Sequence, residues 1–432
     1  MTCVRDYWRH VRRSIPRVSI VMLVVGLMAG VVTAKADDLV LRWNQIAAQT
    51  ATATNPFNQA RVGAIVQLAV FEAVNAVTQD YEPYLNPPTV APPGTSAEAA
   101  AIIAAHNVLV TYFPAASAAL DAARDLDLAA IPNGSAKTNG IAVGAAAANA
   151  MIALRAADGS SPLTTIIPTS TNAGDYQLTT GCAAAMFYNW QNVTPFGIAD
   201  ISDFLLDPPP ALASNRVAKD YFEVNLVGTA TSTARPLDRT EVVRLYAATS
   251  PSFALSAATR QISTGKRTSL SGNARALALL QMGINDALIA SYMNKYHYNR
   301  WRPETGIRNG ASDGNDKTDG NPGFTTLIPT PCFPSYPSNH ASGTNGGLEV
   351  MRRLFGAAGF DITISNNVPA LGSLPATVIT KHYTQLNEIA DDVDDARVYG
   401  GIHWRYDQDA GNVLGRAVAT EIVKTRLRPV HP

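Results

Sequence analysis

Three short segments in the last third of the chain combine residue types that can hold an oxyanion and do chemistry on it. They contain fixed positive charges, a serine hydroxyl, two imidazoles and a carboxylate, which can neutralise, hydrogen-bond and protonate such a group. No single segment is persuasive alone, but the ordered set of three predicts one site. The segments are 295–303, 337–340 and 397–407.

The first segment contributes Lys295 and Arg302, which lie seven positions apart. That spacing is about two turns of an α-helix, so one helix face could carry both side chains. Pro303 is expected to end or bend this helix, which would leave Arg302 near its C-terminal end. The alternative is a pair of exposed basic residues without a function.

The second segment, Pro337-Ser-Asn-His340, precedes a helical pattern at 338–355. The N-terminus of a helix presents free backbone N–H groups and the positive end of the helix dipole, so it favours anions. Ser338 could cap the helix or donate its hydroxyl to an oxyanion. His340 would stand one or two residues inside the helix, where it is either structural or faces the same pocket.

The third segment places Arg397 six positions before His403, with Gly400-Gly401 between them. The glycines allow a sharp turn and a close approach of the backbone to a ligand. Asp407 lies four residues after His403, so the two would share a face if this stretch is helical. A carboxylate there can fix one ring nitrogen and leave the other as a ligand or nucleophile.

Together these segments match a family signature: Lys-x6-Arg-Pro, then Pro-Ser-Gly-His, then Arg-x5-His-x3-Asp. The chain therefore resembles the superfamily of vanadium-dependent haloperoxidases and type 2 phosphatidic acid phosphatases, and looks like a bacterial haloperoxidase-type member. The likeness spans most of the chain after the first 36 residues. Its family-like stretches are 40–47, 69–76, 286–308, 328–340 and 396–407.

The resemblance implies a role for each residue of the signature. Oxygens of vanadate, or of phosphate in the same site, would be hydrogen-bonded by Lys295, Arg302, Ser338, Arg397 and the backbone N–H of Asn339. His403 would bind the vanadium, or attack phosphorus in a phosphatase. His340 would be the acid–base group, Lys295 would polarise bound peroxide, and Asp407 would orient His403.

Two positions depart from the family pattern: Asn339 stands where the family usually has glycine, and Ala396 stands where many members have serine, a peripheral change with little expected effect. Asparagine tolerates the left-handed backbone region better than other non-glycine residues, so the backbone donor is expected to survive. The asparagine side chain is expected to enter the mouth of the pocket, where it would add a donor or narrow the access.

The favoured function is a vanadate-dependent haloperoxidase that oxidises halide with hydrogen peroxide. The alternatives are a secreted acid phosphatase that acts on a phosphate ester through a phosphohistidine at His403, and a descendant that only binds anions. Phe333 matches the position where chloroperoxidase-like members carry phenylalanine, which does not define the halide. A zinc hydrolase using His297, His340 and His403 is disfavoured, because neighbouring cations would repel the metal and no H-E-x-x-H helix is present.

Composition bounds the remaining possibilities. The chain has 432 residues, of which 47% are hydrophobic, and a formal net charge of zero, so no nucleic-acid partner is expected. A basic start, an apolar run and Ala34-Lys35-Ala36 predict a signal peptide at 1–36 and export to the periplasm or medium. No stable membrane span is expected after its cleavage. Export would permit a disulfide between Cys182 and Cys332, and the sequence leaves that pairing open.

Most of the apolar periodicity is helical, and alternating strand patterns are scarce. The predicted fold is all-α, with an N-terminal helical half at about 37–205 and a C-terminal helical half, containing the site, at 215–432. The resemblance implies that these halves are two packed helical bundles of the vanadium haloperoxidase type.

Overall fold

The computed structural model describes residues 38–430, so the predicted signal peptide lies outside the described residues. The first helices begin at polar caps: Asp38, Asn55 and Ser96 each accept hydrogen bonds from N–H groups of the following turn. These caps fix the residues at which the three helices begin. The helices are α1 (Leu39–Ala51), α2 (Pro56–Thr78), α3 (Ala97–Tyr112), α4 (Ser117–Ala129) and α5 (Ser135–Leu154).

A long irregular connection follows α5 and contains the short 3-10 helices Tyr188–Asn192 and Ile201–Phe204. The chain then returns to α-helix, as predicted. The later helices are α6 (Asn215–Val227), α7 (Leu237–Ala247), α8 (Pro251–Lys266), α9 (Leu270–Tyr298), α10 (Pro303–Arg308), α11 (Asn339–Phe355), α12 (Leu386–Val398) and α13 (Arg405–Thr425).

A β-hairpin between α11 and α12 was not predicted. Strand β1 (Ala358–Val368) pairs antiparallel with β2 (Thr377–Gln385), and Ile364 lies opposite Lys381. The buried residues Ile362 and Ile364 alternate with polar ones, which is the period of a half-buried strand. The fold is therefore helical, as predicted, with one two-stranded addition.

Helices α2 and α9 form the centre of the molecule and pack against each other. Both are long and apolar enough to cross a membrane, but 89% and 94% of their apolar windows are buried inside the protein. Their apolar residues point in all directions because neighbouring helices surround them. Helix α9 also packs against α11 and α13, and these three helices bring the predicted segments together.

The predicted halves, 37–205 and 215–432, meet through this pairing of α2 with α9. Residues 38–430 fall in one compact unit, and the division at 205–215 stays a prediction. A disulfide between Cys182 and Cys332 adds a covalent link between the long connection and the segment before α11, across 150 residues.

Candidate oxyanion site

The three predicted segments converge on one buried site between α9, α11, α12 and α13. Most of the predicted side chains are almost completely removed from solvent, and His340 is half-buried. The predicted residues that the site contains are Lys295, Arg302, Ser338, Asn339, His340, Arg397, His403 and Asp407.

The predicted placement of Arg302 on the helix of Lys295 was wrong. Helix α9 ends at Tyr298 because Asn299 adopts a left-handed conformation with φ 46°. Arg302 instead occupies the N-cap position of α10, and Pro303 begins that helix rather than ending the previous one. The two cations still lie close together without sharing a helix face: Lys295 Nζ and Arg302 Cζ are 5.3 and 4.9 Å from the centroid of the same Phe333 ring.

His403 and Asp407 form a close pair, as predicted, although they do not share a helix. His403 lies in the turn before α13, and Asp407 lies in its first turn. The Nδ1 atom of His403 is 2.9 Å from Oδ2 of Asp407. The turn depends on Gly401, whose φ of 80° favours glycine. A side chain at this position would also collide with the backbone of Gly228, because its Cβ atom would lie too close to the Gly228 carbonyl oxygen.

Ser335 completes this pair, and the sequence interpretation missed it. Its hydroxyl donates to Oδ2 of Asp407 at 2.5 Å and lies 3.4 Å from Nδ1 of His403. The backbone N–H of Trp404 donates to the same oxygen. Burial raises the pKa of Asp407 to about 6, while these hydrogen bonds favour its ionised form. Only the proximity of Ser335 to the second segment could have suggested it.

The hydrogen bonds of His403 define its tautomer. Nη1 of Arg302 is 2.9 Å from Nε2 of His403, and a guanidinium can only donate. The Nε2 atom must therefore accept, and the ring proton resides on Nδ1, where it is donated to Asp407. Burial and the charge of Arg302 lower the pKa of His403, which keeps the ring neutral with a basic Nε2.

Lys295 is enclosed at the end of α9, with its ammonium group among backbone oxygens. It donates to the carbonyls of Pro334, Ser335 and Pro337 at 2.9, 2.8 and 2.6 Å. These bonds use all three of its protons, so Lys295 fixes the segment that leads into α11. A direct contact with an oxyanion would require it to exchange one of them.

The start of α11 presents the predicted anion-binding N-terminus. Ser338 is the N-cap and accepts a hydrogen bond from the backbone N–H of Ala341. Asn339 is the first helical residue and is not among the described non-glycine residues with positive φ. The tolerance of asparagine for the left-handed region is therefore not needed at this position. A first-turn residue leaves its N–H without an intrahelical partner, so the backbone donor is kept.

His340 lies beside the cations on the same helix end. Desolvation, and then the charges of Arg397, Lys295 and Arg302, lower its pKa well below the usual value for histidine. Its Nδ1 atom is 3.5 Å from the amide nitrogen of Asn339. His340 is thus a neutral base in this structure, and a neighbouring negative charge would favour its protonated form.

The charges of the site call for an anion. Lys295, Arg302 and Arg397 face the single carboxylate of Asp407 in this site, so positive charge exceeds negative charge in a buried region. Burial lowers the pKa of both arginines, and each arginine charge is near enough to depress the pKa of His403. A bound anion would relieve this repulsion.

Two guanidinium groups also have donors to spare. Nη2 of Arg302 and Nε of Arg397 are buried without a hydrogen-bond partner among residues 38–430. Unsatisfied buried donors are rare in proteins and commonly mark a ligand position. A tetrahedral oxyanion such as vanadate or phosphate fits these donors, the first N–H groups of α11 and the basic Nε2 of His403. Within the described part of the chain, no group of three or more His, Cys, Asp or Glu side chains is arranged to hold a metal ion.

The comparisons with known proteins agree with this reading. Residues 275–432 match the family model described as the VCPO second helical-bundle domain. The vanadium chloroperoxidase of Curvularia inaequalis is 28% identical over 172 residues, which cover 32% of this chain and 28% of that protein. The match thus spans less than a third of the curated relative.

Solved structures extend the likeness to nearly the whole chain. A bacterial vanadium-dependent iodoperoxidase superposes with a TM-score of 0.73 at 19% identity, covering 91% of this chain and 97% of its own. A bacterial vanadium-dependent chloroperoxidase in its apo form gives a TM-score of 0.70 at 16% identity, with coverages of 86% and 94%. The chain therefore has the fold of the vanadium-dependent haloperoxidases, and its C-terminal part carries the VCPO second helical-bundle domain.

Proposed function

We propose that this chain is a vanadate-dependent haloperoxidase that oxidises a halide with hydrogen peroxide. The observation that carries the proposal is the pairing of unused guanidinium donors on Arg302 and Arg397 with a neutral His403 whose Nδ1 is held by Asp407. This combination provides both a basic nitrogen for the metal of vanadate and a positive frame for its oxygens. The relatives named above support this choice over phosphate-ester hydrolysis.

The residues of the site would divide the work between holding and proton transfer. Arg302, Arg397 and the N-terminus of α11 would hold the oxyanion, and His403 would bind its vanadium through Nε2. Bound vanadate would supply a Lewis acid that activates hydrogen peroxide toward halide.

Proton movement would fall to His340. Its neutral imidazole stands at the start of α11 and can take a proton from incoming peroxide and return it to the departing oxygen. Asp407 and Ser335 would hold His403 in the tautomer that keeps Nε2 basic. Lys295 would keep the 334–337 segment in place and strengthen the positive field of the site.

The test is peroxide-dependent halogenation of a cyclic dione by the purified chain from residue 37 onward, with orthovanadate and with iodide, bromide or chloride. We expect activity that requires vanadate and is abolished in His403→Ala. His382→Ala is the matched control, because His382 is exposed on strand β2 and its ring contacts the hydroxyl of Thr363 on β1.

A phosphatase assay on the vanadate-free protein decides the alternative. Rapid phosphate release from a phosphomonoester, with no halogenation at any vanadate concentration, would overturn the proposal. Equal activities of His403→Ala and the unmodified chain in both assays would show that the site itself is wrongly placed.

We also propose that the chain is exported to the periplasm or medium. The signal-like sequence at 1–36 supports this, and so does the disulfide between Cys182 and Cys332, since such bonds persist in oxidising compartments. Cell fractionation and the mass of the mature N-terminus test it. Protein retained in the cytoplasm with residues 1–36 intact would contradict it.

A further inference from the structure

An apolar cavity of about 200 Å³ opens directly beside the oxyanion site. Its walls come from the start of α2, from the long connection, from α9 and from the segment before α11. Phe57, Phe187 and Phe333 supply aromatic walls, and Asn339 and His340 close the end that faces the site. The cavity therefore joins the N-terminal part of the chain to the residues that would do the chemistry.

The aromatic walls are ordered by contacts with one another. The ring of Phe187 lies 4.5 Å from that of Phe57 and 6.5 Å from that of Phe333, measured between centroids. Such edge and tilted arrangements are favourable geometries for aromatic rings. The three rings therefore form an ordered wall, and they do not fill the cavity beside them.

Phe187 is held in an unfavourable backbone conformation to build this wall. Its φ of 60° and ψ of 32° lie in the left-handed region, which is costly for a residue with a bulky side chain. The neighbouring Met186 N–H donates to the carbonyl of Cys332 at 2.7 Å, and the Cys182–Cys332 disulfide ties the same loop down. Strain that the surrounding structure maintains commonly marks a functional position.

The volume exceeds what peroxide and a halide need. A water molecule occupies about 30 Å³ of liquid, whereas an apolar cavity of roughly 150 Å³ stays dry and binds benzene. At about 200 Å³, this cavity matches one aromatic ring with small substituents. The side-chain amide of Asn339 lies at the polar end of the cavity. Its hydrogen-bond contact among the described residues is a long one, 3.5 Å to Nδ1 of His340, so the amide can still donate to a ligand.

We propose that the cavity binds a monocyclic phenol, with the ring between Phe57, Phe187 and Phe333 and the hydroxyl toward Asn339 and His340. The phenol is then halogenated in place, an inference that rests on the proposed haloperoxidase function. Overall, one phenol, one hydrogen peroxide, one halide ion and one proton give one halogenated phenol and two water molecules. The halide loses two electrons to the peroxide O–O bond, and a ring C–H bond is replaced by a carbon–halogen bond.

Binding is tested separately from catalysis. Calorimetric titration of p-cresol into the vanadate-free chain is expected to show saturable binding. Ala60→Leu adds bulk to the cavity wall and is expected to weaken that binding about tenfold, since overfilling costs about 1.4 kcal/mol or more. The control is Ala122→Leu, the same change at an exposed position of α4, which is expected to bind like the unmodified chain.

Phosphate affinity and thermal unfolding of Ala60→Leu show whether its fold and oxyanion site are intact. If the variant is misfolded, Phe187→Ala replaces it: this change removes one aromatic wall and is also expected to weaken binding. No saturable binding by the unmodified chain, or equal binding by all the folded variants, overturns the cavity assignment whether or not the chain is a haloperoxidase.

The second arm measures where halogenation occurs. Bromination of phenol by the vanadate-loaded chain is expected to give an ortho-to-para ratio different from that of added hypobromite. An identical ratio overturns halogenation in place. Absence of any bromination, with phenol binding intact, refutes the haloperoxidase function and leaves the binding site standing.

Discussion

Asp407 acts on His403 from a position that water does not reach. The carboxylate receives a ring N–H, a serine hydroxyl and a backbone N–H on one oxygen, so its orientation is set by three partners. Charge-assisted hydrogen bonds of this kind are short and directional. They hold His403 with Nε2 toward Arg302, which is the orientation that an oxyanion ligand needs.

Replacing Ser335 by alanine tests this orientation. The buried bond to Asp407 is worth about 1.5–3 kcal/mol, and its loss leaves the carboxylate with two of its three partners and a less firmly fixed orientation. We expect halogenation kcat to fall by about tenfold or more, with little change in the KM for halide. Ser365→Ala on the exposed face of β1 is the control. If Ser335→Ala and Ser365→Ala show the same fall in kcat and KM, Ser335 is not a positioning residue.

His340 predicts how anion binding depends on pH. Its pKa is lowered in the anion-free protein, and a bound dianion raises it by favouring the charged ring. The bound state therefore holds more protons than the free state between the two pKa values, so anion affinity rises as the pH falls through that window. Protonation of Asp407, with a pKa of about 6, works in the same direction.

Sulfate is a suitable probe because it stays a dianion across this range. We expect its affinity, measured by calorimetry, to increase from pH 7 to pH 5. His340→Gln should lose most of that increase and keep only the part due to Asp407. His382→Gln, on the exposed hairpin, should keep all of it. An unchanged slope in His340→Gln would exclude His340 from the anion site.

Helix α11 depends on close contact with α13 for the position of its N-terminus. The backbone N–H of Ser338 donates to the carbonyl of Asp407, which ties the cap of α11 to the first turn of α13. Gly411 lies at the crossing, where a Cβ atom would stand 2.6 Å from the carbonyl oxygen of Ser338. Any side chain at 411 must therefore push Ser338 away from its place in the site.

We expect Gly411→Ala to weaken phosphate binding about tenfold and to lower the free energy of unfolding by roughly 1–3 kcal/mol. Gly265→Ala, within α8, is the matched control, because nothing lies within 4 Å of the added Cβ. Alanine there should be neutral or stabilise by up to about 1 kcal/mol, from helix propensity. Equal phosphate affinities in the two variants would contradict the proposed role of the crossing.

The sequence predicted the helices well and the connections between the site residues less well. Helical periodicity identified α9, α11 and α13, because their buried faces repeat over many turns. It did not show that Asn299 would end α9, although asparagine followed by proline at 303 is typical of one helix ending and another beginning. The N-cap role of Arg302 follows from that short break.

The hairpin and Ser335 were missed for different reasons. The alternation at Ile362 and Ile364 was visible, but it covers few residues and has no Asn-Gly or Asp-Gly turn signal beside it. Ser335 touches Asp407, 72 residues away, and such a contact depends on the packing of whole helices. A short sequence motif therefore cannot reveal the contact between Ser335 and Asp407.

Across the whole molecule, the site places like charges together in the interior. The two long central helices and the disulfide hold the surrounding frame, so the frame tolerates a region that opposes folding in the absence of an anion. Burying these charges lowers the free energy of unfolding, and a ligand that binds only the folded state raises it again. Anion binding and stability of the whole chain are thus coupled.

Arg397→Met is the sharpest test of this coupling. In the anion-free protein it removes one of the three basic side chains buried in the site, and the hydrogen bond that Arg397 makes among the described residues is a long one, 3.5 Å from Nη1 to the carbonyl of Tyr246. We expect its free energy of unfolding to rise by about 1–2 kcal/mol, as when buried charges are replaced by apolar groups. The control is Lys424→Met, which removes an exposed charge of α13 and should change stability little.

With phosphate or vanadate the order should reverse. The unmodified chain gains about 2.7 kcal/mol at an anion concentration 100 times its Kd, seen as a higher Tm, whereas Arg397→Met gains much less because it has lost a donor to the anion. Lys424→Met should show the full increase. If Arg397→Met instead lowers the anion-free Tm while keeping the full anion-induced increase, Arg397 serves the fold and not the anion, and the excess of positive charge has another cause.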